Sequence, residues 1–308
     1  MREHIGTRRL YIKNLVYSSV VSLRIIFLTR RGLKKLTLNA FAFFGVLSAV
    51  VQFVSVAYSG SILIDHPVSF IVSCSVASIL YGIFRTIPRS KICHTYSDID
   101  ITLNVVVGNI LQKSGQIVVG FTDTFDTDIT DSEVINKDSL QGKLLTEKFG
   151  GDQRALDRKL EQALRTKTIE TLETRANKPK GKLQRYPIGT AVYVKSSAKD
   201  GVYALAISKM GNNLVAESSV HYLWESLGQL WECVYEKGQR KPASMPLLGT
   251  GLARINALDR ESLLRMIILS FLARSREKLV CNELTVFIHP KDRHYINMLE
   301  LEAFIKTI

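Results

Sequence analysis

The chain has 308 residues, a formal net charge of +13 and 46% hydrophobic residues. This length suits one large domain or two modest ones, and the composition excludes both a disordered chain and one embedded throughout in a membrane. Residues 1–91 hold twelve Lys and Arg against two acids, so most of the charge lies near the N-terminus. Because a nucleic-acid-binding protein needs basic residues across a docking face, we expect no nucleic-acid partner.

Two uncharged segments follow the basic N-terminal stretch. Residues 36–64 run for 29 residues without a charge, and residues 67–84 run for 18. At about 1.5 Å per residue, the first is longer than a hydrocarbon core of about 30 Å, and the second, at about 27 Å, is shorter but still adequate for a transmembrane helix. A signal peptide begins earlier, is shorter and lacks a second apolar segment. We therefore predict a transmembrane helical hairpin over residues 36–85.

Charge asymmetry predicts the topology of this hairpin. Basic residues flank its outer ends, whereas the connector holds Asp65 and His66. The positive-inside rule then places both termini in the cytosol. Residues 1–35 form a basic cytosolic or interfacial segment, in which 10–28 favour an amphipathic helix, with a third crossing as the alternative. Small residues such as Gly45 and Gly82 permit close helix contact, either between copies or only within the hairpin.

From about residue 96 the pattern changes to alternating strands and helices. Apolar residues at 156, 160 and 164, with charges between them, are typical of a surface helix. The order predicts a three-layer α/β/α domain with a mixed sheet over residues 92–308, joined to the hairpin by a linker over 85–97. We predict strands at 99–107, 116–121, 190–194, 203–208, 243–248 and 283–289, helices at 153–173, 215–237, 258–274 and 295–306, and a loop at 174–187.

Catalytic motifs are mostly absent from this domain: there is no HExxH, GxSxG, Walker loop or CxxC pair. Residues 123–133 contain five acids but lack the glycine and glutamate spacing of a calcium loop. We interpret them as a solvated loop, with a cation site as the alternative. His289 ends a predicted strand, where it either lines a pocket or simply closes the strand.

Two glycine loops carry more information. Gly108 and Asn109 close an apolar strand, and Gly249, Thr250 and Gly251 lie between a strand and a helix. Glycines at such places let backbone N–H groups approach a phosphate, and a helix N-terminus favours an anion. Each loop on its own is equally consistent with a tight turn.

Taken in order, these segments resemble a macro domain, the family that binds ADP-ribose, from about residue 98 to the C-terminus. The sequence KPASMPLLGTGLAR is the most specific match, to the family's phosphate loop. Further matches are VVVGNIL to the opening strand and loop, QIVVGFTDTF to the second segment, SLQGKLLTEKFGG to the glycine loop and helix, and ELTVFIHP to the final strand.

The resemblance implies a binding site for an ADP-ribose derivative, with an amino-acid conjugate among the candidates and no separate cofactor or metal. The ligand's phosphates would lie on the backbone of the second loop, its adenine beside the first loop, and His289 would stack on the adenine. The implied ligand-binding residues are Gly108, Asn109, Ile110, Gly249, Thr250, Gly251, Leu252, Ala253 and His289.

The chain departs from the family pattern at two places. Asn109 stands where the family has an adenine-binding aspartate. The asparagines that position the distal ribose in hydrolytic members are missing, with Val119 and Thr122 near their positions. These departures favour binding without hydrolysis and imply that the chain is not an enzyme.

Two apolar helices before a divergent macro domain resemble the membrane-anchored macro-domain effectors of the bacterial Thoeris anti-phage system. That resemblance implies an NAD-derived nucleotide signal made by a TIR-domain partner, self-association, and disruption of the lipid bilayer. It places the protein in the bacterial inner membrane with its C-terminal domain in the cytoplasm. The alternatives are a membrane-tethered ADP-ribosyl hydrolase and a passive reader of ADP-ribose.

Overall fold

A computed structural model of the chain describes residues 23, 26–57, 67–87, 90–251 and 255–308. The chain divides into two compact units, one formed by residues 1–89 with 297–308 and the other by residues 90–296. The C-terminal helix, which the sequence-based division placed in the domain over 92–308, thus groups with the hairpin. Most of the predicted amphipathic segment 10–28, and the connector Asp65–His66, lie outside the described residues.

Within the described residues, helices and strands follow one another in the alternating order expected of an α/β domain. The α-helices are α1 (Arg30–Ala57), α2 (Pro67–Thr86), α3 (Leu140–Lys148), α4 (Gln153–Leu164), α5 (Val220–Gly238), α6 (Arg260–Glu277) and α7 (Met298–Thr307). The strands are β1 (Lys91–Tyr96), β2 (Ile101–Val107), β3 (Gln116–Thr122), β4 (Thr171–Leu172), β5 (Gln184–Arg185), β6 (Ala191–Lys195), β7 (Gly201–Met210), β8 (Ala216–Glu217), β9 (Ala243–Pro246) and β10 (Glu283–Ile288).

Helices α1 and α2 are each long and apolar enough to cross a membrane, judged by length and composition. They pack on each other along a face of small residues. A side chain built at Gly82 would place its Cβ 3.0 Å from the carbonyl oxygen of Leu36. Near the same end, Asn39 Nδ2 donates to Thr86 Oγ1 at 3.1 Å, and the rings of Phe43 and Tyr81 stack at 4.2 Å. The face that contains Gly82 therefore serves the contact within the hairpin.

The second unit is built on a mixed sheet in the order β1-β2-β10-β9-β3-β7-β6, with β8 added to β7. Strands β2, β10, β9, β3 and β7 are parallel, and the edge strands β1 and β6 run antiparallel to their neighbours. Helices cover both faces, as the sequence predicts for a three-layer α/β/α domain. On one face of the sheet, Leu144 of α3 and Leu156 of α4 belong to the same core cluster as Val119 of β3. On the other face, the Tyr203 hydroxyl of β7 points toward Gly238 of α5.

The predicted linker over residues 85–97 is wrong. Residues Lys91–Tyr96 form β1, which pairs along its whole length with β2. The alternation of exposed and buried side chains in this strand is what an edge strand requires, because only one of its faces meets the core. The hairpin and the sheet are thus joined by the residues from 87 to 90, not by a tether of thirteen residues.

Two predicted helices have different bounds. Helix α4 ends at Leu164 rather than near residue 173, and α5 begins at Val220 rather than at 215, because Ala216 and Glu217 pair with β7. The starts of both helices have polar N-caps: Asp152 accepts from Ala155 N, and Ser219 accepts from Tyr222 N. The apolar face predicted at 156, 160 and 164 is confirmed, since all three leucines are buried. Helix α5 likewise buries Leu223, Leu227 and Leu230.

Candidate functional site

A cleft of about 600 Å³ lies at the carboxyl ends of the five parallel strands. It opens where β3 and β9 separate, since these neighbours pair only at Gln116–Ala243 and Ile117–Ser244. Beyond that point Met245 and Pro246 pair with β10 alone. A crevice between diverging parallel strands is where open α/β sheets bind their ligands.

The structure brings the predicted site residues together at this cleft. Leu252 and Ala253 lie outside the described residues, so their predicted role stays a prediction. The described members of the predicted set all line the cleft: Gly108, Asn109, Ile110, Gly249, Thr250, Gly251 and His289.

The first loop, residues 108–110, follows β2 and begins beside the C-terminal end of β10. Gly108 N donates to the carbonyl oxygen of Ile288 at 2.9 Å, which extends the parallel pairing by one residue. Asn109 is exposed, and its side-chain oxygen accepts from Leu111 N at 3.1 Å, so it caps a short 3₁₀ helix. Ile110 is buried and joins the core beneath the cleft. The loop therefore offers a ligand one polar side chain above an apolar floor.

The second loop, residues 247–251, is held by one hydrogen bond to β10 and one within the loop. Leu247 N donates to Phe287 O at 2.9 Å, and Thr250 Oγ1 donates to Leu247 O at 2.9 Å. Gly249 has φ +81°, a left-handed conformation that favours glycine. By contrast, a Cβ built at Gly251 meets no atom of the other described residues within 4 Å. Gly249 thus shapes the loop, while Gly251 borders open space in the cleft.

The wall opposite this loop comes from residues 132–141 and the start of α3. Ser139 caps α3 by accepting from Gly142 N at 3.0 Å. A Cβ at Gly142 would lie 2.6 Å from the carbonyl oxygens of Asn136 and Lys137, so only glycine fits there. Since Ser139 and Leu140 line the cleft, the positive end of the α3 dipole lies at its edge. Residues 132–136 of this wall are not among the predicted site residues, although the Ser139–Gly142 pair was a usable signal.

A third wall is formed by the 3₁₀ helix Pro290–Tyr295 after β10. His289 Nδ1 accepts from Lys291 N at 3.2 Å and caps this helix. Burial lowers the pKa of His289 below its ordinary value, which favours a neutral ring beside the cleft. Asp292 also lines the cleft, and its carboxylate lies 2.9 Å from Arg260 Nε.

The far end of the cleft lies over β7 and was not predicted. Ile207, Ser208 and Met210 line it from the strand, and Leu214 lines it from the following turn. Leu214 has φ +65°, which is rare for a leucine. Of the two residues near the positions of the missing asparagines, Thr122 lines the cleft, with its hydroxyl oxygen 3.1 Å from that of Thr124. Val119 is instead fully buried in the core.

The acidic run over residues 123–133 is not simply a solvated loop, contrary to our interpretation from the sequence. Asp123 and Asp126 are each only 1% exposed. Asp123 pairs with Arg185 at 2.7 Å, and Asp126 pairs with the fully buried Lys178 at 3.3 Å. These pairs fasten the run to the loop over 174–187. Among the residues that the structure describes, no group of three or more His, Cys, Asp or Glu side chains could hold a metal ion.

Comparison with solved structures returns macrodomains from Oceanobacillus iheyensis. A mutant of that macrodomain is 14% identical over 71% of this chain and 100% of its own, with a TM-score of 0.48. The macrodomain with ADP is 14% identical over 71% of this chain and 98% of its own, with a TM-score of 0.41. A second mutant, with ADPR, is 13% identical over 70% and 99%, with a TM-score of 0.42.

Comparison at the level of sequence families gives a specific assignment. A search of curated proteins returns no match. The model of the family described as "Thoeris protein ThsA, Macro domain" matches residues 103–289, which is more than half of the chain and extends from β2 to His289. This chain therefore belongs to the Thoeris ThsA macro-domain family.

Proposed function

We propose that the cleft binds an ADP-ribose-type nucleotide signal. The observation that carries the proposal is the convergence of seven predicted residues, from three separate segments, on one cleft in a member of this family. From the end of β2 to the end of β7 the cleft crosses four strand spacings, roughly 19 Å in all. That length accommodates an extended nucleotide diphosphate with a sugar at each end.

The chemistry of the walls favours a diphosphate at the centre of the cleft. Neither lysine nor arginine is among its described lining residues. An anion would instead meet backbone N–H groups of residues 249–251 on one side and the N-terminus of α3 on the other. With the adenine beside Asn109 and His289, as the family resemblance implies, the second ribose lies over Thr122 and Ser208.

Binding without hydrolysis is our preferred form of this activity. The positions that resemble the family's ribose-positioning asparagines hold Val119, which is buried, and Thr122, whose hydroxyl is engaged with that of Thr124. Neither provides a carboxamide to orient a ribose. The competing hydrolase hypothesis predicts turnover, so mass spectrometry of ADP-ribose conjugates after incubation with the purified protein distinguishes the two.

We further propose that this sensor controls the helical hairpin. In this mechanism a TIR-domain partner makes the signal from NAD, the signal causes self-association of the cytoplasmic domain, and α1 and α2 then disrupt the bacterial inner membrane. The proposal draws support from the Thoeris family match and from two helices long and apolar enough to span a bilayer. A ligand can drive such a change only by binding the assembled form more tightly.

Leakage from vesicles tests this function. The full chain is reconstituted in dye-loaded vesicles and exposed to ADP-ribose and to amino-acid-conjugated ADP-ribose. We expect at least one of these nucleotides to release the dye from vesicles with wild-type protein and not from vesicles with Gly251→Glu. Gly251→Gln is the matched control, because it adds the same bulk without the charge. Vesicles that stay sealed with nucleotide-bound wild-type protein would support the passive reader instead.

A further inference from the structure

The C-terminal helix α7 is ion-paired to the start of the hairpin. Arg31 Nε lies 3.3 Å from Glu300 Oε2, and Lys35 Nζ lies 3.3 Å from Glu302 Oε2. Arg31 and Lys35 are four residues apart on α1 and so share one face of its basic first turns. Although burial alone would raise it, the hydrogen bonds and charges of Lys306 and Lys35 hold the pKa of Glu302 below its ordinary value.

The same helix is the direct continuation of a wall of the cleft. His289 and Asp292 line the cleft, and the chain then passes through the 3₁₀ helix into Asn297, the N-cap of α7. The 3₁₀ helix is held at two points by one side chain: Arg260 lies 2.9 Å from Asp292 and stacks 3.7 Å above the Tyr295 ring. The 3₁₀ helix ends at Tyr295, two residues before Asn297, so a rigid shift of this helix also moves the start of α7.

We infer that α7 is a clasp, which holds α1 through Arg31–Glu300 and Lys35–Glu302 and is loosened when an anionic nucleotide enters the cleft. The inference rests on the proposed function for its ligand and for its membrane readout. An anionic nucleotide in the cleft that Asp292 lines brings negative charge toward its carboxylate and competes with it for Arg260, which weakens the anchor of the 3₁₀ helix. The side chains of the clasp pairs are a third to a half exposed, and ion pairs that water reaches are weak because the solvent screens their charges. They are thus weak enough for ligand binding to break.

Charge reversal in the full chain tests the clasp without any ligand. We expect Glu300→Lys with Glu302→Lys to raise basal dye leakage from reconstituted vesicles several-fold. Adding Arg31→Glu and Lys35→Glu restores the pairs in reversed order and should return leakage to the wild-type level. Glu147→Lys with Glu236→Lys makes the same change of net charge on exposed residues of α3 and α5, and should leave leakage unchanged. Sealed vesicles with the Glu300/Glu302 variant would overturn the clasp.

Hydrogen exchange on the wild-type protein gives a second measurement that does not depend on folding of a variant. ADP-ribose should accelerate amide exchange in residues 298–307, and unchanged or slower exchange in a nucleotide-bound sample would overturn the inference. Failure of the proposed function looks different. If wild-type vesicles stay sealed with nucleotide while the reversal variant leaks, the clasp stands and the assigned signal is wrong.

Discussion

Ile255 N donates to the carbonyl oxygen of Gly249 at 3.0 Å, and the Ile255 side chain fills the space where a Cβ on Gly249 would lie. That Cβ would be 2.8 Å from Ile255 Cδ1, a distance that real Cβ contacts do not show. One glycine of the loop is thereby required for its shape. Gly251, two residues further on, borders open space and has no such constraint.

This difference predicts that alanine destabilises the protein at Gly249 and has little effect on stability at Gly251. Gly249→Ala should lower the free energy of unfolding by about 1–3 kcal/mol, because it combines a positive φ with a steric overlap. Gly251→Ala should stay within about 0.5 kcal/mol of wild type, as substitutions away from packed features do. Thermal unfolding of the detergent-solubilised full chain measures both. Equal destabilisation by the two variants would contradict the distinct roles of these glycines in the loop.

Removal of one partner of the buried ion pair between Lys178 and Asp126 should destabilise the protein strongly. Lys178→Met leaves the Asp126 carboxylate buried without its partner, which costs about 3–5 kcal/mol. Asp126 also accepts from the Thr124 hydroxyl at 2.5 Å, so its displacement would disturb the loop after β3. The double variant Lys178→Met with Asp126→Asn should recover most of the loss. Denaturant unfolding checks this, and a double variant no more stable than the single one would refute it.

His289 should give the protein a specific pH dependence. Because burial lowers its pKa below about 6.5, the folded protein binds fewer protons at this residue than the unfolded chain. The contribution of His289 to the free energy of unfolding is therefore fully present above pH 6.5. It is lost as the pH falls through the pKa that His289 has in the folded protein. His289→Asn keeps an acceptor for Lys291 N but removes the titration. The difference in melting temperature between the variant and wild type should change between pH 7.5 and 5, and a constant difference would speak against a lowered pKa.

Leucine substitutions should distinguish the helix face that makes the contact within the hairpin from the face that is exposed. Gly82→Leu pushes a side chain into Leu36 and Ala40 and should destabilise the helix pair by about 1–3 kcal/mol. A Cβ at Gly45 meets no atom of the described residues within 4 Å, so Gly45→Leu should leave the hairpin stable but reduce nucleotide-dependent leakage if copies associate through this face. Thermal stability in detergent and dye leakage measure the two effects. Loss of stability in Gly45→Leu would refute the assignment of faces.

The sequence predicted those parts of the fold that local periodicity encodes. The strand before Gly108, the strand and glycine loop around Gly249, and the buried leucines of α4 and α5 all have a clear local pattern. The contacts that complete the cleft do not. Strand β7 reaches the cleft only because it pairs with β3, and residues 132–136 reach it only because Gly142 allows a close turn.

Two errors of the sequence-based prediction have separate physical causes. Residues 91–96 look like a linker because an edge strand needs only one apolar face, and Lys91 and His94 hide the weaker alternation. The acids at 123 and 126 look solvated because their partners, Arg185 and Lys178, are more than fifty residues away. Long-range pairing also explains why the grouping of α7 with the hairpin could not be read from the C-terminal sequence.

Isothermal titration of ADP-ribose into the full-length protein decides whether the cleft is a nucleotide site. Wild-type protein should bind with a stoichiometry of one per chain. Gly251→Glu should lose detectable binding while it melts at the wild-type temperature, because it places a carboxylate where the cleft would hold a phosphate. Gly251→Gln should weaken binding less. Wild-type protein that binds neither ADP-ribose nor an amino-acid conjugate of it, or a Gly251→Glu variant with unchanged affinity, would contradict the assignment of this cleft as the nucleotide site.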